Sequence, residues 1–165
     1  MTMLTLHTKL ASSDHIDGEL VLVYDQREKC RQRARLVSGE EIALFTARGT
    51  VLRDGDLLTG ENGFVARVRA ADEPVYTVRA ADASGLLRCA FHLGNRHCQV
   101  QVGDRFLRIR PDSVLRDMLA GLGATVMEET APFEPESGAY AGAHAHSSPL
   151  APVPLRQKIH RPGEA

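Results

Sequence analysis

Along the first 73 residues the pattern of hydrophobic positions is β-like. Phe64-Val65-Ala66-Arg67-Val68-Arg69-Ala70 alternates, and Glu19-Leu20-Val21-Leu22-Val23-Tyr24 is rich in β-branched and aromatic side chains. Both runs predict strands. Ser38-Gly39, Asp54-Gly55 and Glu61-Asn62-Gly63 supply the turns between short strands. No long helical period occurs in this part, so residues 1–73 are expected to form a small all-β domain. Ala71-Asp72-Glu73-Pro74 is the expected boundary, because a proline restricts the residue before it and ends local regularity.

Over residues 74–140 the period switches between two and 3.6. A strand is expected from Val75 to Ala80 and a helix from about Asp82 to His97. Gln99-Val100-Gln101-Val102 and Arg105-Phe106-Leu107-Arg108-Ile109 should form a hairpin around Gly103-Asp104. Pro111 suits the first turn of a second helix, whose apolar face is Val114, Leu115, Met118, Leu119 and Leu122, with Gly123 at its C-terminal end. Ala124 to Glu128 reads as the closing strand. Strand, helix, strand, strand, helix, strand is the order of a ferredoxin-like βαββαβ domain, so the predicted class is α+β. From residue 141 to 165 the apolar period disappears. Gly, Ala, Ser and Pro dominate, and such a segment cannot bury enough surface to offset its ordering entropy, so a disordered tail is expected.

The first helix of the second domain carries the most informative pattern. At 100° per residue Leu86, Ala90, Leu93 and His97 fall on one line, flanked by Leu87, Phe91 and Gly94. Arg88, His92, Asn95 and Arg96 occupy the other side. His97 thus extends an apolar stripe, where it meets either a core or a partner helix. Gly94 costs the helix about 1 kcal/mol relative to alanine, which points to close packing. On the residues alone, a hydrogen-bonded histidine at a helix end accounts for His97, and a metal ligand is the competing assignment.

Composition narrows the function classes. A formal net charge of −1 points to neither nucleic acid nor an anionic membrane. No apolar run approaches the ~20 residues of a membrane span, and Met1-Thr2-Met3-Leu4 lacks the basic start of a signal peptide. Cys30, Cys89 and Cys98 are odd in number and have no CxxC spacing, which argues against a disulfide framework or a zinc ribbon. A soluble, cytoplasmic protein is expected.

Ala90-Phe91-His92-Leu93-Gly94-Asn95-Arg96-His97 resembles the HLGNRH signature of the UreE family of urease accessory proteins, which are nickel metallochaperones. Three further stretches agree with that family in the same order: Arg48-Gly49-Thr50-Val51-Leu52-Arg53-Asp54-Gly55-Asp56; Asp117-Met118-Leu119 with Gly121-Leu122-Gly123-Ala124; and Ala131-Pro132-Phe133-Glu134-Pro135-Glu136-Ser137-Gly138-Ala139-Tyr140. The resemblance spans roughly residues 15 to 146. It implies the same two domains, a homodimer, and Ni(II) cargo held at the pair of His97 residues. It also implies an accessory GTPase and the urease apoprotein activation complex as partners. No nucleic acid, no membrane and no catalysis are expected. GTP hydrolysis would belong to the partner, since this chain has no G-x-x-x-x-G-K-[ST].

Imidazole is a good ligand for Ni, Cu and Zn, so Zn(II) or Cu(II) could compete. One His97 cannot make a site, but a residue near a two-fold axis meets its own copy. His92 lies about 140° from His97 on an ideal helix, between Arg88 and Arg96 that would repel a cation, and reads as a solvated residue or at most an auxiliary ligand. His144 and His146 are spaced so that an extended backbone puts both imidazoles on one side, about 7 Å apart. Such a pair is suited to capping a metal site, and His160 is a weaker candidate of the same kind. Arg110-Pro111-Asp112-Ser113 stands where some relatives carry extra histidines, so a peripheral metal site is expected to be missing. Cys98 reads as a small packed residue, although a thiolate there would favour Cu(I) or Zn.

Three other classes compete. An RNA-binding module on a ferredoxin-like scaffold needs stacking aromatics and basic residues, but aromatics are 5% and no RNP1-like segment occurs. A cysteine enzyme would have to pair Cys98 with His97 or His92, and adjacent residues rarely orient as nucleophile and base. A peptide-binding chaperone without a metal role is the main alternative.

Overall fold

The computed structural model describes residues 3–138; the expected tail and His144, His146 and His160 lie outside them. Strands dominate and three helices accompany them, an α+β arrangement in two parts. The first part contains β1 (Leu4–Leu6), β2 (Thr8–Leu10), β3 (Gly18–Leu22), the single-turn α1 (Tyr24–Arg27), β4 (Arg31–Arg35), β5 (Glu41–Phe45), β6 (Leu57–Thr59) and β7 (Val65–Ala70). The second contains β8 (Asp72–Arg79), α2 (Ala83–Asn95), β9 (Gln101–Gly103), β10 (Phe106–Ile109), α3 (Ser113–Gly121) and β11 (Thr125–Pro132).

In the first part a three-stranded sheet, ordered β1-β5-β4, faces a four-stranded one, ordered β2-β6-β7-β3. The two expected strands are β3 and β7, and they pair with each other in parallel, Gly18 opposite Ala66 through Leu22 opposite Ala70. Period-two alternation turns Leu20, Leu22, Ala66 and Val68 inward, where they meet Leu6, Ile42, Leu44, Leu52 and Leu58 in one core. Tyr24, expected to end a strand, instead opens α1.

The second part forms an antiparallel sheet ordered β11-β8-β10-β9. Tyr76 and Val78 on β8, with Leu107 and Ile109 on β10, line one sheet face; Cys89 and Leu93 of α2 and Leu119 of α3 close over them. Strand β8 begins at Asp72 and runs through Pro74, rather than starting at Val75. Its neighbour β10 reaches only Tyr76 to Val78, so β8 has one free side at Pro74, the setting in which a strand tolerates proline. The closing strand likewise runs on to Pro132, paired along all of β8. Pro111, expected in the first turn of α3, instead precedes the N-cap Asp112, whose carboxylate accepts from Leu115 N at 2.9 Å. Val114, placed by periodicity on the α3 core face, is exposed.

A seam joins the two parts, and one buried cation organises it. Arg27 is fully buried, donates to the carbonyls of Leu22 and Leu52 at 3.2 and 3.1 Å, and bonds Phe133 O and the Glu134 carboxylate. Its guanidinium lies 5.3 Å from the Tyr24 ring centre, and Tyr24 meets Phe133 edge to face at 5.6 Å. Arg53 donates to Pro135 O and Ser137 Oγ, both at 2.8 Å. The segment after β11 is also tied to the second part, Glu136 N to Val100 O at 2.8 Å and Glu134 N to Gln101 Oε1 at 3.0 Å. Residues 133–137 thus strap the seam shut.

Candidate metal site

Asp82 starts α2 by accepting a hydrogen bond from Gly85 N at 2.7 Å, satisfying one of the helix's free N–H groups. The helix buries Cys89 and Leu93 and half-buries Leu86 and Ala90. Leu87 and Phe91 are 71% and 64% exposed. The apolar arc of α2 is therefore wider than its own core can cover, and a second stripe of Leu87, Phe91 and Gly94 faces outward. The close packing expected at Gly94 is not supplied within the protomer: a β-carbon there would meet nothing within 4 Å.

Helix α2 ends earlier than periodicity suggests. Asn95 is its last residue and Arg96 its C-cap, with Arg96 N bonded to Leu93 O. His97 follows with φ of 54°, in the left-handed region, and its N–H bonds Gly94 O at 3.0 Å. His97 therefore does not continue the stripe at 100° per residue. Reversal of the backbone twist ends the helical rotation and places His97, exposed, in a turn next to Gly94. Glycine is the usual occupant of this position, since a β-carbon costs about 1–2 kcal/mol in the left-handed region.

The same turn separates His97 from Cys98. Cys98 is half-buried against the core of the second part, with Sγ 3.1 Å from Leu93 O. Burial pushes its thiol pKa up, with the charge of Asp112 adding to that, so the expected packed cysteine is what the local chemistry supports. Burial raises the Cys89 thiol too. His92 sits half-buried on α2, its ring edge to face with Phe91 at 5.4 Å. Arg88, His92 and Arg96 form a row at i, i+4 and i+8. Among the described residues, no three His, Cys, Asp or Glu side chains come together as a ligand group, so His92 and His97 are not joined into one.

Known proteins match this chain over nearly its full length. Residues 3–71 match the family model described as UreE urease accessory protein, N-terminal domain, and residues 73–161 match the C-terminal domain of the same family. The urease accessory protein UreE of Janthinobacterium sp. (strain Marseille) is 63% identical, with 98% of each chain covered. That of Nitrosospira multiformis is 55% identical over the same share of both chains, and that of Burkholderia lata 47% identical over 87% of this chain and 73% of its own. The chain belongs to the UreE family. Among the described residues, no helix is long and apolar enough to cross a membrane.

The seam has almost no local signature in the sequence. Arg27 lies in the charged run Asp25-Gln26-Arg27-Glu28-Lys29, which reads as solvated surface. The one usable signal was the family-like segment Ala131 to Tyr140, an apolar and proline-rich stretch too short to be an element by itself.

Proposed function

We propose that this chain is a non-catalytic metallochaperone of urease maturation that holds Ni(II) between two copies of itself and passes it on. The observation that carries this is His97: an exposed imidazole in a left-handed turn, beside an uncovered stripe of Leu87, Phe91 and Gly94. The described residues of one protomer assemble no ligand group, so metal at His97 needs ligands from elsewhere. A two-fold axis along the stripe buries the two apolar side chains and brings each His97 to its copy. The strand order of the second part supports a ferredoxin-like βαββαβ scaffold for that helix, with α2 free to serve as the dimer face.

Nickel(II) accepts nitrogen and oxygen donors in square-planar or octahedral sets. Two imidazoles leave coordination positions open to water or to His144 and His146 of the tail, and open positions let metal leave by ligand exchange. His92 would contribute at most an outer contact between Arg88 and Arg96, and Zn(II) or Cu(II) could compete for the same nitrogens. The receiving partners would be the accessory GTPase and the urease apoprotein activation complex in the cytoplasm.

Calorimetric titration tests the assignment. Wild type should take up about one tight Ni(II) per dimer, and His97→Ala should lose that site with its fold intact. Unchanged stoichiometry and affinity in the variant would remove His97 from the site. Truncation after Gly142 should leave a folded protein that releases Ni(II) to a chelator faster, because tethered ligands act at high effective concentration. Equal stopped-flow release rates would make the tail imidazoles bystanders.

A further inference from the structure

Strand β4 reads Arg31-Gln32-Arg33-Ala34-Arg35, and it pairs with β5 alone among the described strands. The ladder is antiparallel, Arg31 opposite Phe45, Arg33 opposite Ala43 and Arg35 opposite Glu41. Thr46 N bonds Cys30 O at one end and Leu36 N bonds Glu40 O at the other. Antiparallel pairs alternate between bonded and non-bonded, so the even residues direct their N–H and C=O toward β5. Arg31, Arg33 and Arg35 direct theirs outward to the free edge. The edge closes only at Val37, whose N–H bonds Glu19 O at 2.9 Å.

The side chains of these same three residues are exposed on one face, about 7 Å apart along the strand. Arg35 holds Glu41 at 2.8 Å and Arg31 lies over the Phe45 ring at 5.8 Å. Arg33 has no acidic partner among the described residues, nor do Lys29 and Arg48 at the Cys30–Thr46 end of the hairpin. Strand β4 of a second copy could not add to this edge favourably, because arginine would face arginine across the new pair. A strand with carboxylates at alternate positions would meet a guanidinium at each of them.

We propose that β4 is a docking edge for an extended, acidic segment of a partner protein, which adds to the β1-β5-β4 sheet as a fourth strand. Backbone bonds to residues 31, 33 and 35 supply affinity that does not depend on sequence, and alternating carboxylates supply selectivity. The repulsion that excludes self-pairing and the attraction that selects an acidic partner come from the same three side chains. This edge carries none of the residues proposed for metal, so the two assignments stand or fall separately.

The probe is a fluorescein-labelled, capped Thr-Glu-Val-Glu-Val-Glu-Thr peptide, titrated into the full-length protein with anisotropy as the signal. Saturable binding is expected, and Arg31→Glu with Arg33→Glu should weaken it by about tenfold or more. A peptide with lysine in place of glutamate should then bind the double variant better than wild type. On wild-type protein, a peptide N-methylated along its bonding edge should lose binding. Residue-resolved amide exchange should slow at Arg31, Arg33 and Arg35 when the unmodified peptide is bound. The proposal is overturned by no saturation up to about 1 mM peptide, by binding that survives charge reversal, or by unchanged exchange at those three amides.

Discussion

The seam at Arg27 and the turn at His97 treat a polar side chain in opposite ways. At the seam a full positive charge is taken out of water, and nearly every donor on it has an acceptor: Leu22, Leu52 and Phe133 carbonyls and the Glu134 carboxylate. At the turn an imidazole stands in solvent, at a backbone angle where glycine would cost less. The first arrangement is closed and almost fully paired within the protomer, so it holds structure. The second keeps a β-carbon in a capping turn where glycine would cost less, and its imidazole has no hydrogen-bond partner among the described residues, which is how a binding residue looks when its ligand comes from outside. A strained, unsatisfied position is therefore the better guide to function here, although Arg27 makes far more contacts.

The largest effect that would break this contrast is at Arg27. Arg27→Met fills much of the volume but leaves three carbonyls without their donor and Glu134 with only the longer contact to Arg53 at 3.6 Å. Removing one partner from a buried pair costs about 3–5 kcal/mol, and urea unfolding of the variant should show a loss of that size. Nickel stoichiometry of the folded protein should be unchanged. A loss under about 1 kcal/mol would mean that water enters the seam and that it is not closed as described.

Next in size is the outward stripe of α2. Phe91→Asp puts a charge on a ring position that is already in solvent within one protomer, so the circular dichroism of the fold should hardly change. If the stripe is the dimer face, the charge is buried against an apolar surface, and the dimer dissociation constant should rise about a hundredfold. Light scattering across a dilution series gives the answer. A dimer that persists unchanged at micromolar concentration would place the two-fold axis elsewhere and separate His97 from its copy.

Much of this was legible in the chain. A β-branched run located β3 and a period-two run located β7, and the order of elements over residues 74–140 is the order found. Asp82 and Gly123 mark helix ends by familiar chemistry: a carboxylate cap and a glycine at φ of 82°. What misled was continuity. Periodicity carried α2 on to His97 because a left-handed residue leaves no signature when it is not glycine. The same periodicity puts Val114 on the core face of α3, where it is in fact exposed at the edge of the apolar arc. Arg27 was invisible for a deeper reason: its acceptors are backbone carbonyls and a residue over 100 positions away, and no local pattern encodes them. The histidine motif was recognisable as chemistry, whereas its geometry needed the turn.

The smallest effect is the sharpest test of the turn itself. His97→Gly removes the imidazole and also the β-carbon that strains the backbone at φ of 54°. The left-handed penalty disappears, offset in part by the extra freedom glycine gives the unfolded chain. In the presence of a chelator the variant should be more stable than wild type by about 0.5–1 kcal/mol, and it should lose the tight Ni(II) site. His97→Ala loses the same site but keeps a β-carbon, so it should gain none of that stability. The pair of variants separates ligand from conformation: metal binding tracks the imidazole and stability tracks the β-carbon. Equal stability of the glycine and alanine proteins in denaturant titration would show that the turn is relaxed with histidine in it. The case for His97 as a residue kept at a cost to folding would then fail, even if the metal still bound there.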